Sequence, residues 1–145
     1  MDDPRAHERR TGGVMGREVL EGGCHCGAVR YRVTFRSREG VECNCSMCAK
    51  KGYLHLIVPE EDFELLRGAD AIKTYTFGTH TAKHHFCTHC GVHSFYRPRS
   101  HPRSIDVNIR CLDGVEPSDF RFYSFDGKNW EESIAGLRDK QRGGQ

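Results

Sequence analysis

Seven of the eight cysteines in this 145-residue chain fall in three tight clusters: Cys24-x-Cys26, Cys43-x-Cys45-x-x-Cys48 and Cys87-x-x-Cys90. Only Cys111 stands apart. Thiols separated by one or two residues have the spacing of metal chelation, and a sulfur-rich donor set points to zinc. Sulfurs on a tetrahedron around zinc lie roughly 3.8 Å apart, given Zn–S bonds of about 2.3 Å. A C-x-C unit on extended chain sends both side chains to one face, because the strand period is two. A C-x-x-C unit needs the chain to turn back, and Gly91, directly after Cys90, suits the positive φ of such a turn. Seven ligands do not make two closed four-sulfur sites. They divide into four plus three: a closed structural site and a site with an open position, where chemistry can occur.

Composition limits the alternatives. The length is that of one domain. Charged residues make up 29% of the chain and apolar ones 37%, so the core is small and a metal would add folding energy that apolar burial does not supply. A net charge of +2 gives no field suited to nucleic acid or an anionic membrane. The ends are locally basic (Arg5, Arg9, Arg10, Arg17; Arg138, Lys140, Arg142) and read as solvated tails. No apolar run is long enough to span a bilayer, and none resembles a signal-peptide core. The expectation is an intracellular, reducing compartment, cytoplasm or nucleus, in which thiols stay free for metal. The close C-x-C pairs and the missing signal count against a secreted disulfide framework.

The elements that must position the clusters read as short strands. Residues 28–35 alternate, with Val29, Tyr31, Val33 and Phe35 on one face and Arg30, Arg32 and Thr34 on the other. Residues 41–45 read as extended and deliver the middle cluster; residues 49–52 read as the loop after it. Further strands are expected over 53–58, 72–77, 93–96, 105–109 and 121–125, with short segments at 63–66 and 82–86. A short helix is expected over 130–137, with Trp130 in the core. The organisation is a tail over 1–17, one zinc-binding domain over 18–137 and a tail over 138–145. The fold class is all-β, of short twisted strands with little helix.

The residues GGCHCGAVR (22–30), CNCSMC (43–48) and FCTHCG (86–91) resemble the glutathione-dependent formaldehyde-activating (Gfa) family. The stretches TYTF (74–77), GVHSFYRPRS (91–100), RCLD (110–113) and NWE (129–131) look especially like its centromere protein V branch. The likeness covers about residues 18–137. It implies the Mss4-like fold and two zinc ions per chain. It implies a structural zinc at Cys24, Cys26, Cys87 and Cys90, and a second zinc at Cys43, Cys45 and Cys48. Spacing alone leaves open which clusters pair.

The resemblance also implies a reaction. A thiolate of glutathione held at the three-cysteine zinc would attack formaldehyde to give S-(hydroxymethyl)glutathione, and the reverse is carbon–sulfur cleavage, so the chain reads as a carbon–sulfur lyase. Lys50 and Lys51 beside the middle cluster, with Arg97 and Arg99, are candidate partners for glutathione's carboxylates. His55 follows the middle cluster on the next strand and is the favoured histidine for a fourth ligand or an acid–base group. His25, His84, His85, His89 and His93 read as hydrogen-bonded or exposed, and Cys111 as a small buried residue. The competing readings are a non-catalytic zinc module for protein or chromatin, and a glutathione carrier that does not accelerate the reaction.

Overall fold

The computed structural model describes residues 16–129. The expected helix over 130–137, Trp130, residues 1–15 of the first tail and the whole of the second lie outside the described residues. The described chain is mainly β, as expected. Its strands are β1 (Glu18–Gly23), β2 (Arg30–Phe35), β3 (Glu39–Cys43), β4 (Leu54–Pro59), β5 (Phe63–Arg67), β6 (Ile72–Tyr75), β7 (Lys83–Cys87), β8 (Phe95–Arg97), β9 (Ser104–Asn108) and β10 (Arg121–Phe125). One short helix, α1 (Ser46–Lys51), interrupts them.

The strands form two sheets. The smaller has the order β1-β2-β5, and the larger has the order β10-β3-β4-β9-β8-β7-β6. All pairs are antiparallel except β10 with β3, which run parallel. The period of two sorts the faces of the large sheet. Leu56 and Val58 of β4, Phe95 of β8, and Ile105 and Val107 of β9 join Leu20, Tyr31, Val33 and Phe35 of the small sheet in the core. The residues between them, His55, Ile57, Tyr96 and Asp106, line a cavity on the other side. One sheet therefore makes the core with one face and the candidate site with the other.

The structure corrects the reading of the middle cluster. Residues 41–45 are not all strand: β3 begins at Glu39 and ends at Cys43. Residues 49–52 are not a loop, because Ser46–Lys51 is helical. The local sequence accounts for this. SMCAKK contains no β-branched residue, Gly or Pro, and Ala and Lys favour helix. The Cys45 side chain caps it, accepting the Cys48 N–H at 3.3 Å.

Candidate metal centres and cavity

The first cluster is built where the two sheets meet. Cys24 and Cys26 lie in the connection from β1 to β2, Cys87 ends β7, and Cys90 lies in the turn beyond it. The turn closes through Gly91 N–H donating to the Cys87 carbonyl at 2.8 Å, with Gly91 at φ 79°. The Cys24–Cys26 and Cys26–Cys87 sulfur separations are both 3.7 Å, and all four sulfurs lie within 4.8 Å of one another. Those spacings fit a tetrahedral zinc, with ligands roughly 3.8 Å apart. Backbone N–H groups of Val29 and His89 donate to Cys24 and Cys87 Sγ, each at 3.3 Å, a pattern that stabilises thiolate.

The second cluster gathers Cys43 at the end of β3, Cys45 as the cap of α1 and Cys48 inside it; their sulfurs also lie within 4.8 Å of one another. Its donor chemistry fits a cation. The thiols of Cys43 and Cys48 bond to Cys45 Sγ and pull Cys45 down to about 2. Cys43 is pushed up to about 11, first by its bond to Cys45, and Cys48 is pushed up too, first by Cys43. Three thiolates this close would repel one another, and a bound cation would offset that repulsion.

A cavity of about 440 Å³ lies against this cluster, and all three cysteines line it. The four-sulfur cluster does not line it. Asn44 ties the cluster to the chain after β10, donating from Nδ2 to Asp126 at 2.9 Å and accepting the Lys128 N–H at 3.1 Å. Gly127 closes that side. A Cβ there would stand 2.6 Å from Cys43 Sγ, so only glycine allows the approach.

A family profile described as glutathione-dependent formaldehyde-activating enzyme matches residues 19–124. The chain belongs to this family. A Halomonas elongata protein, provisionally named a glutathione-dependent formaldehyde-activating enzyme, is 35% identical over 81 residues, which is 50% of this chain and 52% of that protein. The chain thus spans about half the length of this curated relative. The crystal structure of a Rhodobacter sphaeroides protein superposes with a TM-score of 0.65 at 36% identity, covering 71% of this chain and 99% of that one.

The residues singled out in this Gfa-family sequence divide on their positions. His55 is buried, with Nε2 3.2 Å from Cys48 Sγ and Nδ1 2.6 Å from Asp106 Oδ2. It adjoins Cys48, lines the cavity beside it, and lies outside the group of mutually close cysteines. Arg99 lines the cavity, whereas Lys50 is exposed and outside it. Arg97 donates to Glu60 and to the Pro102 carbonyl, both at 2.9 Å, and does not line the cavity. Lys51 is turned inward, over the rings of Tyr53 and Tyr96. His25 and His89 are exposed beside the first cluster. Cys111 belongs to neither cluster, and burial pushes its thiol up to about 11.

Sequence reasoning missed Asp106, Tyr96 and Gly127, and took His84 for an ordinary histidine. The alternation of β8 and β9 was the available signal, since Asp106 and Tyr96 occupy the face opposite the core residues. The electrostatics of His84 and His93 make a prediction. Burial, then the nearby Lys51 ammonium, lowers both from 6.5 to about 4. Below pH 6.5 an unfolded chain binds protons that the folded one refuses until about pH 4, so these two groups cost stability as pH falls through that window and nothing above it. Imidazole signals followed by NMR should show both rings neutral at pH 5. Titration of either ring near 6.5 would refute the burial argument.

Proposed function

We propose that this chain forms and cleaves the carbon–sulfur bond of S-(hydroxymethyl)glutathione, as a carbon–sulfur lyase acting on glutathione–aldehyde adducts. The observation that carries the reading is the asymmetry of the two clusters: four cysteines gather between the sheets, and the other three line a cavity. Cys43, Cys45 and Cys48 would hold the second zinc, and Cys24, Cys26, Cys87 and Cys90 the structural one. Bound zinc with three thiolates would lower a substrate thiol's pKa and hold it as thiolate.

The protein's own residues would do the rest. His55, held by Asp106, orients Cys48. Val41, Ile57, Met47 and Phe125 give the cavity a partly apolar lining beside the cysteines. Arg99 and Lys128 line the same cavity and supply cationic partners for a peptide carboxylate. The resemblance to the centromere protein V branch rests on stretches that include Phe77, Arg99 and Ser100, which line the cavity as well. Eight free cysteines suit a reducing compartment.

Calorimetric titration of glutathione into protein carrying two zinc ions per chain tests the reading, with S-methylglutathione as control. Binding that requires the free thiol is expected. An absence of binding would overturn the glutathione reading. Binding without any acceleration of the formaldehyde reaction would reduce the protein to a carrier.

A further inference from the structure

We propose that His84 is a catalytic hydrogen-bond donor to the aldehyde oxygen in this cavity, with Lys51 as its positioning residue and proton source. This rests on the thiol–aldehyde reading above.

His84 is the second residue of β7, the strand that ends at Cys87, and is 4% exposed. Both faces of its ring are covered. Phe77 stacks on it at 5.4 Å and 19°, and Tyr96 at 4.8 Å and 14°. Only an edge remains. On that edge Nδ1 stands 3.2 Å from Lys51 Nζ. An ammonium only donates, so Nδ1 must accept, and the single ring proton sits on Nε2. Nε2 has no protein partner in any hydrogen bond of the described residues, and it is not among the polar atoms sealed from solvent without one. His84 lines the same cavity as Cys43, Cys45 and Cys48. With Nδ1 taken by Lys51, Nε2 is the ring nitrogen left to donate to a molecule in that cavity.

Lys51 is built to keep that tautomer. Its Nζ stands 4.7 Å from the centre of the Tyr53 ring and 4.8 Å from that of Tyr96, faces that attract an ammonium. The Tyr53 hydroxyl donates to the Asp106 carbonyl at 2.6 Å, so the ring holding the ammonium is itself fixed. Burial draws Lys51 below its ordinary value, while the nearby Asp106 opposes the shift. The result is an ammonium readier to give up a proton than a solvated one. His84, lowered to about 4, is neutral at physiological pH and so passes a proton on rather than storing it.

The step balances. The thiolate's electron pair forms the C–S bond, and the C=O π pair moves onto oxygen. That oxygen takes the Nε2 proton while Nδ1 takes one from Lys51, leaving His84 neutral in the other tautomer and Lys51 as an amine. Water then restores the Lys51 proton and the original tautomer. In the cleavage direction the hydroxyl proton passes to Nε2, the Nδ1 proton passes to the Lys51 amine, and the C–S pair returns to sulfur.

The test compares zinc-loaded wild type with His84→Phe, which keeps the stacked column, and with Lys51→Met and Lys51→Arg. Exchange between labelled formaldehyde and glutathione gives the rate, and ¹⁵N NMR of the histidine rings gives the tautomer. The expected result is a fall of about 100-fold for His84→Phe and Lys51→Met at two zinc ions per chain, the scale of one lost acid–base group. Lys51→Arg, whose guanidinium can donate to Nδ1 but does not give up a proton, should stay about as slow as Lys51→Met, and wild-type His84 should carry its proton on Nε2. A full rate in folded His84→Phe, or a wild-type proton on Nδ1, would overturn the proposal. Should His84→Phe fail to fold, Lys51→Met carries the rate test. Wild type that binds no glutathione would instead overturn the thiol reading, before any variant is compared.

Discussion

Cys87→Ser will leave the chain without a stable fold. Cys87 is 1% exposed and ends β7 in the large sheet, while Cys24 and Cys26 belong to the loop leaving β1 in the small one. The four sulfurs therefore join the two sheets at one edge. In a site of this kind the binding free energy of the metal is folding free energy, on the order of 10 kcal/mol in small zinc domains. A domain of this size has only about 5–15 kcal/mol in total. Removing one of four sulfurs also leaves the His89 N–H without its thiolate acceptor. Zinc per chain should fall from two to one or fewer, and the cooperative thermal transition should vanish. Cys111→Ser, outside both clusters, is the control and should keep both ions. A Cys87→Ser protein that holds two zinc ions and melts within a few degrees of wild type would show that this cluster does not bear the fold.

Asp106→Ala will weaken the second cluster and the fold together. Asp106 is 1% exposed, and its Oδ2 sits 2.6 Å from Nδ1 of His55, itself buried against Cys48. The deletion strands a buried imidazole in the middle of the large sheet. Losing one partner of a buried charge-assisted pair costs about 3 kcal/mol. At this chain length that is a fall in Tm of roughly 10 °C. Loss of the group that orients a ligand's neighbour typically weakens metal binding by about 10–100-fold. Competition with a graded series of chelators should show the three-sulfur ion leaving first, with the four-sulfur ion unchanged. Equal loss from both clusters would mean that Asp106 acts on the fold alone.

These effects differ in how far the sequence foreshadowed them. The alternation Val29, Tyr31, Val33, Phe35 is a local pattern, and it marks the buried face of β2 without knowledge of its partner. The helix Ser46–Lys51 is only six residues long, too short to show a helical period in the sequence. The parallel pairing of β10 with β3 joins segments about eighty residues apart, and nothing local announces it. Charged residues near the clusters were hardest to read. Arg97 and Arg99 sit two residues apart, yet one pairs with Glu60 and the other lines the cavity. Lys50 and Lys51 are adjacent, and the direction of the last turn of α1 sends one to solvent and the other over two tyrosine rings.

By itself the sequence determined the three cysteine clusters, the mainly β class and the family, because cysteine spacing and strand period are short-range properties of the chain. Tertiary structure decided which clusters share a site, which face of the large sheet carries the cavity, and that His84 and Lys51 meet. Those depend on the register between strands far apart in sequence and on where an already folded backbone aims each side chain. Such contacts exist only once the sheets have packed, so no local pattern encodes them.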